Sequence, residues 1–289
     1  DAYVKQTRPQ FPVSVLRLEK AQAKAAEFVN LFPGRVMYAV KCNPDEKMLR
    51  ALIAGGLETF DCASIGEIRM IRDIKPDAVI YFMHPIKARE AIREAYFTHN
   101  IRNFVLDSAD ELKKILQETK NAKDLTLFVR MGVPKQKVAT DFSVKFGANP
   151  MLAGELLRLV RPHAAKLGLA FHVGTQCTDT KAYSHAVQVA TDVIKASGVS
   201  VDAMDIGGGF PADLDPANPP PPLSQYIDAV KQGLKKANME QLELLCEPGR
   251  ALVAGGGQLV VRVEGRKGDL LYINDGTYGG IFEGGGSIG

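Results

Sequence analysis

The chain has 289 residues, which is enough for one barrel-sized domain or two smaller ones. Its 36 basic and 33 acidic residues give a net charge of +3 and are spread along the chain, so no block of Lys or Arg could follow a nucleic-acid backbone. No apolar run approaches the ~18 residues that span a bilayer, and the N-terminus lacks the features of a signal peptide. We therefore expect a cytoplasmic protein without nucleic-acid or membrane partners.

The four cysteines are Cys42, Cys62, Cys177 and Cys246, which lie far apart and form no CxxC pair. This pattern favours reduced thiols over a disulfide framework and does not resemble a zinc site. The chain begins at Asp1 without a methionine, and its last residues are typical of neither a helix end nor a strand end. We therefore expect that the natural protein has further residues.

Strand-like and helical patterns alternate along most of the chain. A strand-type segment at residues 11–16 and a helical pattern at residues 19–30 come first. Strand-like runs follow at residues 36–41, 59–63, 78–83, 103–106, 125–131, 169–173, 201–206 and 242–246. Helical patterns occupy residues 46–54, 65–73, 87–96, 109–118, 151–167, 181–196 and 223–237. The alternation predicts a parallel sheet, and eight units favour a closed barrel over a doubly wound sheet, whose G-x-G-x-x-G turn is missing.

The pattern changes after Arg250. Residues 258–264 and 270–274 are strand-like, and the glycine-rich residues 265–269 between them indicate a hairpin turn. We predict an α/β fold in which residues 19–250 form a TIM (β/α)8 barrel. Residues 251–289 would begin a C-terminal all-β domain that is truncated in this sequence, and residues 1–18 would contribute a strand to that domain.

The first strand-like run of the barrel ends on Lys41. Its continuous apolar residues are typical of a strand that is buried on both faces, and Asn43 and Pro44 end it. A lysine at this position would have its ammonium near a desolvated pocket, where the pKa of the amine falls and the amine can form a Schiff base. From this segment alone, a lysine that reaches out to solvent is the alternative.

In a TIM barrel the active site lies at the carboxyl ends of the strands. The candidate residues there are Lys41, Asp61, Ser64, Glu67, His84, Asp107, Arg130, His172, Thr175, Gly207, Gly208, Gly209, Glu247, Gly249 and Arg250. Consecutive glycines let backbone N–H groups approach a phosphate closely, and Arg250 can add a bidentate contact. A flexible turn is the alternative for the three glycines.

A phosphate site and a lysine in one pocket suggest pyridoxal 5'-phosphate, whose aldehyde is held by a lysine and whose ring nitrogen needs an acidic partner. Glu247 is placed to be that partner, and a salt bridge with Arg250 is the alternative. His172 could stack on the cofactor ring, although a lone histidine can also be a satisfied core residue.

Several segments closely resemble the fold type III pyridoxal-phosphate decarboxylases of basic amino acids, the ornithine decarboxylase family. They are YAVKCN at residues 38–43, FDCAS at 60–64, GEI at 66–68, SVKFG at 143–147, FHVG at 171–174, DIGGGF at 205–210, CEPGR at 246–250 and NDGTYG at 274–279. The segments span nearly the whole chain in the order that the family has, so jointly they are very specific.

The resemblance implies a role for each matching position. Lys41 would hold the cofactor aldehyde, His172 would stack on the ring, and Glu247 would pair with the ring nitrogen. The cofactor-binding set would be Lys41, Asp61, Arg130, His172, Thr175, Gly207, Gly208, Gly209, Glu247, Gly249 and Arg250. Within this set, Asp61 and Arg130, together with Glu67, would form a polar network beside Lys41. The family forms head-to-tail homodimers with the site at the interface, so the resemblance also implies a homodimer.

The activity that the resemblance implies is decarboxylation of a basic L-amino acid, with L-ornithine giving putrescine and CO2 and with L-lysine giving cadaverine, in polyamine biosynthesis. Glu283 would face the distal ammonium of the substrate, and a solvated glutamate is the alternative. The family's Cys-Asp motif, whose cysteine is the candidate acid that protonates Cα, would lie beyond Gly289. Diaminopimelate decarboxylase, arginine decarboxylase and a catalytically inactive regulatory homologue remain as alternatives.

Overall fold

The structure, a computed structural model, describes residues 2–133, 145–215 and 217–281. Its first strand, β1 (Val13–Leu16), lies outside a closed barrel of eight strands that pair in parallel in sequence order. The barrel strands are β2 (Arg35–Ala39), β3 (Thr59–Cys62), β4 (Val79–Phe82), β5 (Asn103–Leu106), β6 (Thr126–Met131), β7 (Lys166–Phe171), β8 (Ala203–Asp205) and β9 (Glu243–Cys246). The predicted TIM barrel is therefore confirmed.

Helices precede and connect the barrel strands. They are α1 (Ala2–Thr7), α2 (Leu18–Leu31), α3 (Glu46–Ala54), α4 (Ile65–Ile74), α5 (Arg89–Phe97), α6 (Ala109–Glu118), α7 (Pro150–Val160), α8 (Thr180–Ser197), α9 (Leu223–Ala237) and α10 (Arg250–Val253). Five of these helices begin after a side chain that accepts first-turn N–H groups, namely Asp45, Ser64, Ser108, Asn149 and Asp179. Among the described residues, no helix is long and apolar enough to cross a membrane.

One predicted helix is wrong over its second half. The pattern at residues 151–167 predicts a single helix, but α7 ends at Val160 and a 3-10 turn follows at Arg161–His163. Pro162 explains the change, because proline has no N–H to make the next hydrogen bond of the α-helix. The freed segment enters β7 at Lys166, three residues before the predicted strand start.

The interior of the barrel is filled with side chains. A separate buried cluster is formed by Met37, Tyr81, Met83, Val105, Phe128, Ala170, Ala203 and Leu245. Phe128 also occupies the space above Gly168 on the neighbouring strand, where an added Cβ would overlap the phenyl ring. The middle of the barrel is therefore a packed core, and a ligand site is expected at its carboxyl-terminal mouth.

Four short strands of the described residues lie outside the barrel, namely β1 and three that follow it. β10 (Gly257–Val260) pairs antiparallel with β1, while β11 (Val263–Lys267) and β12 (Leu270–Ile273) form a hairpin. The predicted strand at residues 258–264 is therefore divided between β10 and β11, and residues 261 and 262 belong to neither. The predicted division into a barrel at residues 19–250 and a truncated β-domain from residues 1–18 and 251–289 stays a prediction.

Candidate active site

Polar side chains converge at the carboxyl ends of the barrel strands. Side chains alternate along a strand, so the residue two positions after an interior residue also points into the barrel, one layer nearer the mouth. By this count the next inward-facing layer consists of Asp61, Arg130, His172, Asp205 and Glu247. They lie two positions after Thr59, Phe128, Ala170, Ala203 and Leu245, respectively. Residues from five different strands thus meet in one polar layer above the apolar interior.

Lys41 lies in a 3-10 turn, Val40–Cys42, that follows β2, and not in the strand as expected. Its Nζ is 3.3 Å from Asp61 Oδ2, and its side chain is 57% exposed while that of Asp61 is only 1% exposed. The negative charge of Asp61 raises the pKa of Lys41, burial opposes the rise, and the charge of Glu247 adds to it. The expected lowering of the pKa of Lys41 is therefore wrong, since the neighbouring carboxylates outweigh desolvation.

The loop after β3 is held by a capping arrangement. Ser64 Oγ accepts a hydrogen bond from Glu67 N, and Glu67 Oε2 accepts one from Ala63 N at 2.7 Å. Asp61, at the end of the same strand, keeps one carboxylate oxygen, Oδ1, with no hydrogen-bond donor among the described residues. Glu67 thus fixes the loop, and Asp61 presents an acceptor beside Lys41.

His172 has a neutral imidazole in a defined orientation. Its Nδ1 accepts a hydrogen bond from Gly174 N at 3.0 Å, so the proton of the neutral ring is on Nε2. Burial, together with the positive charges of Arg130 and Lys41, lowers the pKa of His172 to about 3. A Cβ on Gly208 would lie 3.1 Å from Nε2, so the imidazole packs directly beside that glycine.

Gly207, Gly208 and Gly209, here called the glycine loop, follow β8 with a fixed geometry. Gly207 and Gly209 have φ angles of +68° and +96°, which L side chains rarely adopt. A Cβ on Gly207 would overlap Phe171 O, and one on Gly208 would lie 2.5 Å from Glu247 O. The flexible turn that the sequence left open is thus disfavoured, since neighbouring backbone encloses the loop.

Two further residues predicted to bind the cofactor, Thr175 and Arg250, lie in segments next to this loop. Thr175 lies in the segment after β7, and that segment is tied to the loop by a 2.9 Å hydrogen bond from Cys177 N to Gly209 O. Arg250 begins α10. Gly249, which caps this helix, lacks a Cβ that would overlap Cys42 Sγ, so the Lys41 turn packs closely against the start of α10.

Replacing Gly207 with alanine is expected to lower the free energy of unfolding by about 2 kcal/mol or more, because the left-handed backbone strain adds to the overlap with Phe171 O. Urea denaturation measures the change. Gly265→Ala is the matched control, since no atom lies within 4 Å of the added Cβ at that position. Equal stability of the two variants would contradict the assigned geometry of the loop.

Asp205 is a site residue that the sequence interpretation missed. It is completely buried at the end of β8, its Oδ1 accepts a 2.8 Å hydrogen bond from Gly207 N, and its carboxyl group is within hydrogen-bonding reach of Glu247. Burial raises the pKa of Asp205 above its ordinary value. The pKa of Glu247 is raised by burial and by the charges of Asp205 and Asp61. The sequence signal that could have identified Asp205 was a carboxylate at the end of an apolar strand, shortly before the glycines.

A second missed residue is Lys87, which the sequence placed at a helix start. Its side chain is completely buried in the loop after β4, where Nζ donates to His84 O at 2.9 Å and to Val105 O at 2.6 Å and pairs with Glu111 at 2.9 Å. His84 extends from this loop to within 5.2 Å of the Phe146 ring, measured between ring centroids. Lys87 therefore fixes the loop that carries His84 at the mouth.

Glu283, the predicted substrate-facing residue, lies outside the described residues, as do Ser143 and Val144 of the SVKFG segment. Every other predicted cofactor-binding residue lies at the carboxyl ends of the barrel strands or in the loops that follow them. An ion pair joins Lys41 to Asp61. The glycine loop lies against His172 and Glu247, since a Cβ on Gly208 would contact both residues.

Comparison with known proteins supports one family. Residues 17–254 match the family model described as pyridoxal-dependent decarboxylase, pyridoxal binding domain. The chain belongs to this family. It is 33% identical over 256 residues to an ornithine decarboxylase of Schizosaccharomyces pombe, a match that covers 84% of this chain and 56% of the relative. The chain thus spans little more than half the length of this curated relative.

Two further family members are informative. Antizyme inhibitor 2 of Xenopus laevis is 29% identical over 299 residues, which covers 96% of this chain and 64% of that protein. The crystal structure of a lysine/ornithine decarboxylase of Vibrio vulnificus, complexed with putrescine, is 28% identical and superposes with a TM-score of 0.81. That likeness covers 98% of this chain and 76% of the other.

The described residues of this family member fit the pyridoxal phosphate that the family binds. Lys41 offers an exposed amine, and the glycine loop carries no side chains that would keep a phosphate away from its backbone. Glu247 and Asp205 place carboxyl groups in the depth of the mouth, and Asp205 Oδ2 has no hydrogen-bond donor among the described residues. Such an acidic end suits a protonated ring nitrogen, while the neutral His172 suits an aromatic face.

Proposed function

We propose that the chain decarboxylates basic L-amino acids with pyridoxal 5'-phosphate, converts L-ornithine to putrescine and CO2, and also accepts L-lysine to give cadaverine. The observation that carries the proposal is the pairing of Lys41 with Asp61 at the same barrel mouth as the glycine loop and Glu247. The names of relatives, which include ornithine and lysine/ornithine decarboxylases, support the substrate class.

In this proposal the chain binds the cofactor through three groups of residues. Lys41 Nζ tethers it covalently, and Thr175, the glycine loop and Arg250 hold its phosphate through N–H groups and a guanidinium. Glu247 meets the ring nitrogen at the opposite end. Because these groups belong to loops that are tied to one another, the cofactor is oriented by backbone geometry as much as by side chains.

When bound, pyridoxal phosphate supplies an electron sink for the electron pair that remains at the substrate Cα after CO2 leaves. Glu247 keeps a proton at the ring nitrogen, which is what makes that sink effective. Asp61 holds Lys41 Nζ at 3.3 Å from its carboxylate, and Nζ would there be available to the cofactor aldehyde. The imidazole of His172, neutral because burial and nearby cations lower its pKa, covers one face of the ring without adding a charge.

Release of CO2 from L-ornithine, L-lysine, L-arginine and meso-diaminopimelate tests the substrate class. We expect turnover of ornithine and lysine and its loss in Lys41→Ala. Activity on arginine alone would favour an arginine decarboxylase, and activity on meso-diaminopimelate alone would contradict the proposed substrates. We further propose a cytoplasmic homodimer with the site at the subunit interface, which sedimentation of the purified protein can test.

A regulatory homologue without activity is the second candidate, since one relative is named as an antizyme inhibitor. Homologues that have lost activity usually lose pocket residues, whereas this chain retains Lys41, His172, Glu247 and Arg250. The presence of these residues favours the enzyme. A chain that binds no cofactor and releases no CO2 from any of the four amino acids would favour the regulatory role.

A further inference from the structure

Two carboxyl groups from neighbouring strands meet in the polar layer of the barrel mouth. Asp205 ends β8 and Glu247 follows β9, and the backbone of Gly207 joins them. Gly207 N donates to Asp205 Oδ1 at 2.8 Å, and Glu247 N donates to Gly207 O at 2.7 Å. Gly207, which begins the glycine loop, therefore fixes the side chain of Asp205 and the backbone of Glu247 beside each other.

The free oxygen of Asp205 needs a donor. Asp205 is completely buried, and its Oδ2 receives no hydrogen bond from the described residues. An ionised carboxylate only accepts hydrogen bonds, so two carboxyl groups within reach of each other can bond only when one of them carries a proton. A proton held between the two carboxyl groups would supply the donor that Asp205 lacks.

The charges around Asp205 and Glu247 also indicate that the two carboxyl groups hold one proton between them. The ionisable groups that face it are Lys41, Asp61, Tyr81, Arg130, His172 and Cys246. Burial raises the pKa of Tyr81 to about 12, raises that of Cys246 and lowers that of His172, so these three are neutral near neutral pH. Two cations, Lys41 and Arg130, then balance Asp61 and a pair that carries a single negative charge.

We propose that Asp205 and Glu247 share one proton near neutral pH, so that the site already holds the proton that a pyridine nitrogen takes when it binds. The inference rests on the proposed function in assigning that nitrogen to pyridoxal phosphate. The proton moves from the Glu247 carboxyl to the ring nitrogen, which leaves a carboxylate facing a pyridinium and requires no proton from solvent. Asp205 is a positioning residue that acts on the ring through Glu247.

Infrared spectroscopy of the cofactor-free chain tests the shared proton directly. The wild type is expected to show the absorption of one protonated carboxyl group near neutral pH, and Glu247→Gln is expected to lose it. Asp205→Asn is also expected to lose it, because the amide donates to Glu247 and the glutamate ionises. Asp228→Asn, an exposed position on α9, is the control that keeps the band.

The outcomes are decisive without any cofactor. Absence of the band in the wild type overturns the proposal. So does a band that Asp205→Asn retains while Glu247→Gln removes it, because Glu247 would then hold its proton through burial alone. If Asp205→Asn does not fold, Asp205→Ser, whose fold circular dichroism checks, takes its place, because its hydroxyl can also donate to Glu247. Loss of the band in Asp205→Ser supports the shared proton, and a retained band overturns it.

Binding of pyridoxal phosphate, measured by equilibrium dialysis, tests the consequence. The ratio of the dissociation constants of Asp205→Asn and wild type is expected to rise with pH by up to about tenfold per unit, the limit for one coupled proton. The same ratio for Asp228→Asn is expected to stay constant, and a constant ratio for Asp205→Asn overturns the proposal. A wild type with the infrared band that fails to bind the cofactor would overturn the proposed function and leave the proton pair in place.

Discussion

Replacing Lys41 with alanine is expected to abolish covalent attachment of pyridoxal phosphate and to lower the rate of CO2 release by at least about a thousandfold. The substitution removes the exposed amine that lies 3.3 Å from Asp61 at this mouth. The pocket otherwise keeps its shape, because Lys41 lies in a turn whose packing depends on Val40 and Gly249.

The measurement is absorbance of the protein with added cofactor. The wild type is expected to show the band of a protonated Schiff base near ~420 nm, and Lys41→Ala is expected to lack it. Lys47→Ala, an exposed lysine on α3, is the matched control and should retain the band. A band of unchanged intensity in Lys41→Ala would show that another amine holds the aldehyde and would contradict the assignment.

Replacing Lys87 with methionine is expected to lower the free energy of unfolding by about 3 kcal/mol or more. The methionine fills similar space, but His84 O and Val105 O lose their donor and Glu111 loses one of its two cations. Each buried acceptor left without a partner costs about 1–3 kcal/mol. Urea denaturation measures the loss, and Lys113→Met, at an exposed position of α6, is the control.

The loss caused by Lys87→Met should also depend on pH. Burial lowers the pKa of Lys87 from 10.5 to about 8, whereas the unfolded chain keeps the ordinary value. Between these two pH values the unfolded state binds more protons, so the contribution of Lys87 to stability rises with pH and is lost as pH falls towards 8. The gap between wild type and variant should widen from pH 8 to 10.5, and a gap that narrows would contradict the assignment.

The sequence predicts the barrel well because its evidence is local. Apolar runs separated by helical patterns give each strand to within a few residues, and α3, α6 and α9 begin and end where the pattern does. Strand ends in a barrel must meet at one mouth, so the polar residues that follow the strands could be placed without knowing any distance. Pro162 was the local signal that could have corrected the one wrong helix.

Electrostatics within the site could not be predicted in the same way. The direction of the pKa shift of Lys41 depends on Asp61, which is twenty positions away in sequence. Likewise, the pairing of Asp205 with Glu247 depends on the register of β8 against β9. Lys87 offered no signal at all, since a lysine at a helix start is usually solvated, and only the packing of two neighbouring barrel units buries it.

The closure of the barrel has a consequence for folding. β2 and β9 meet at the seam where the first and last barrel strands pair, and Arg35 and Glu243 form an ion pair across it at 3.0 Å. Lys41 follows β2 and Glu247 follows β9, so a ligand held by both residues joins the two ends of the barrel sequence. Contacts of such high sequence separation form late and at high entropic cost. A cofactor bound there would stabilise the folded state by mass action, because it would bind only when β2 and β9 are paired and the barrel is closed.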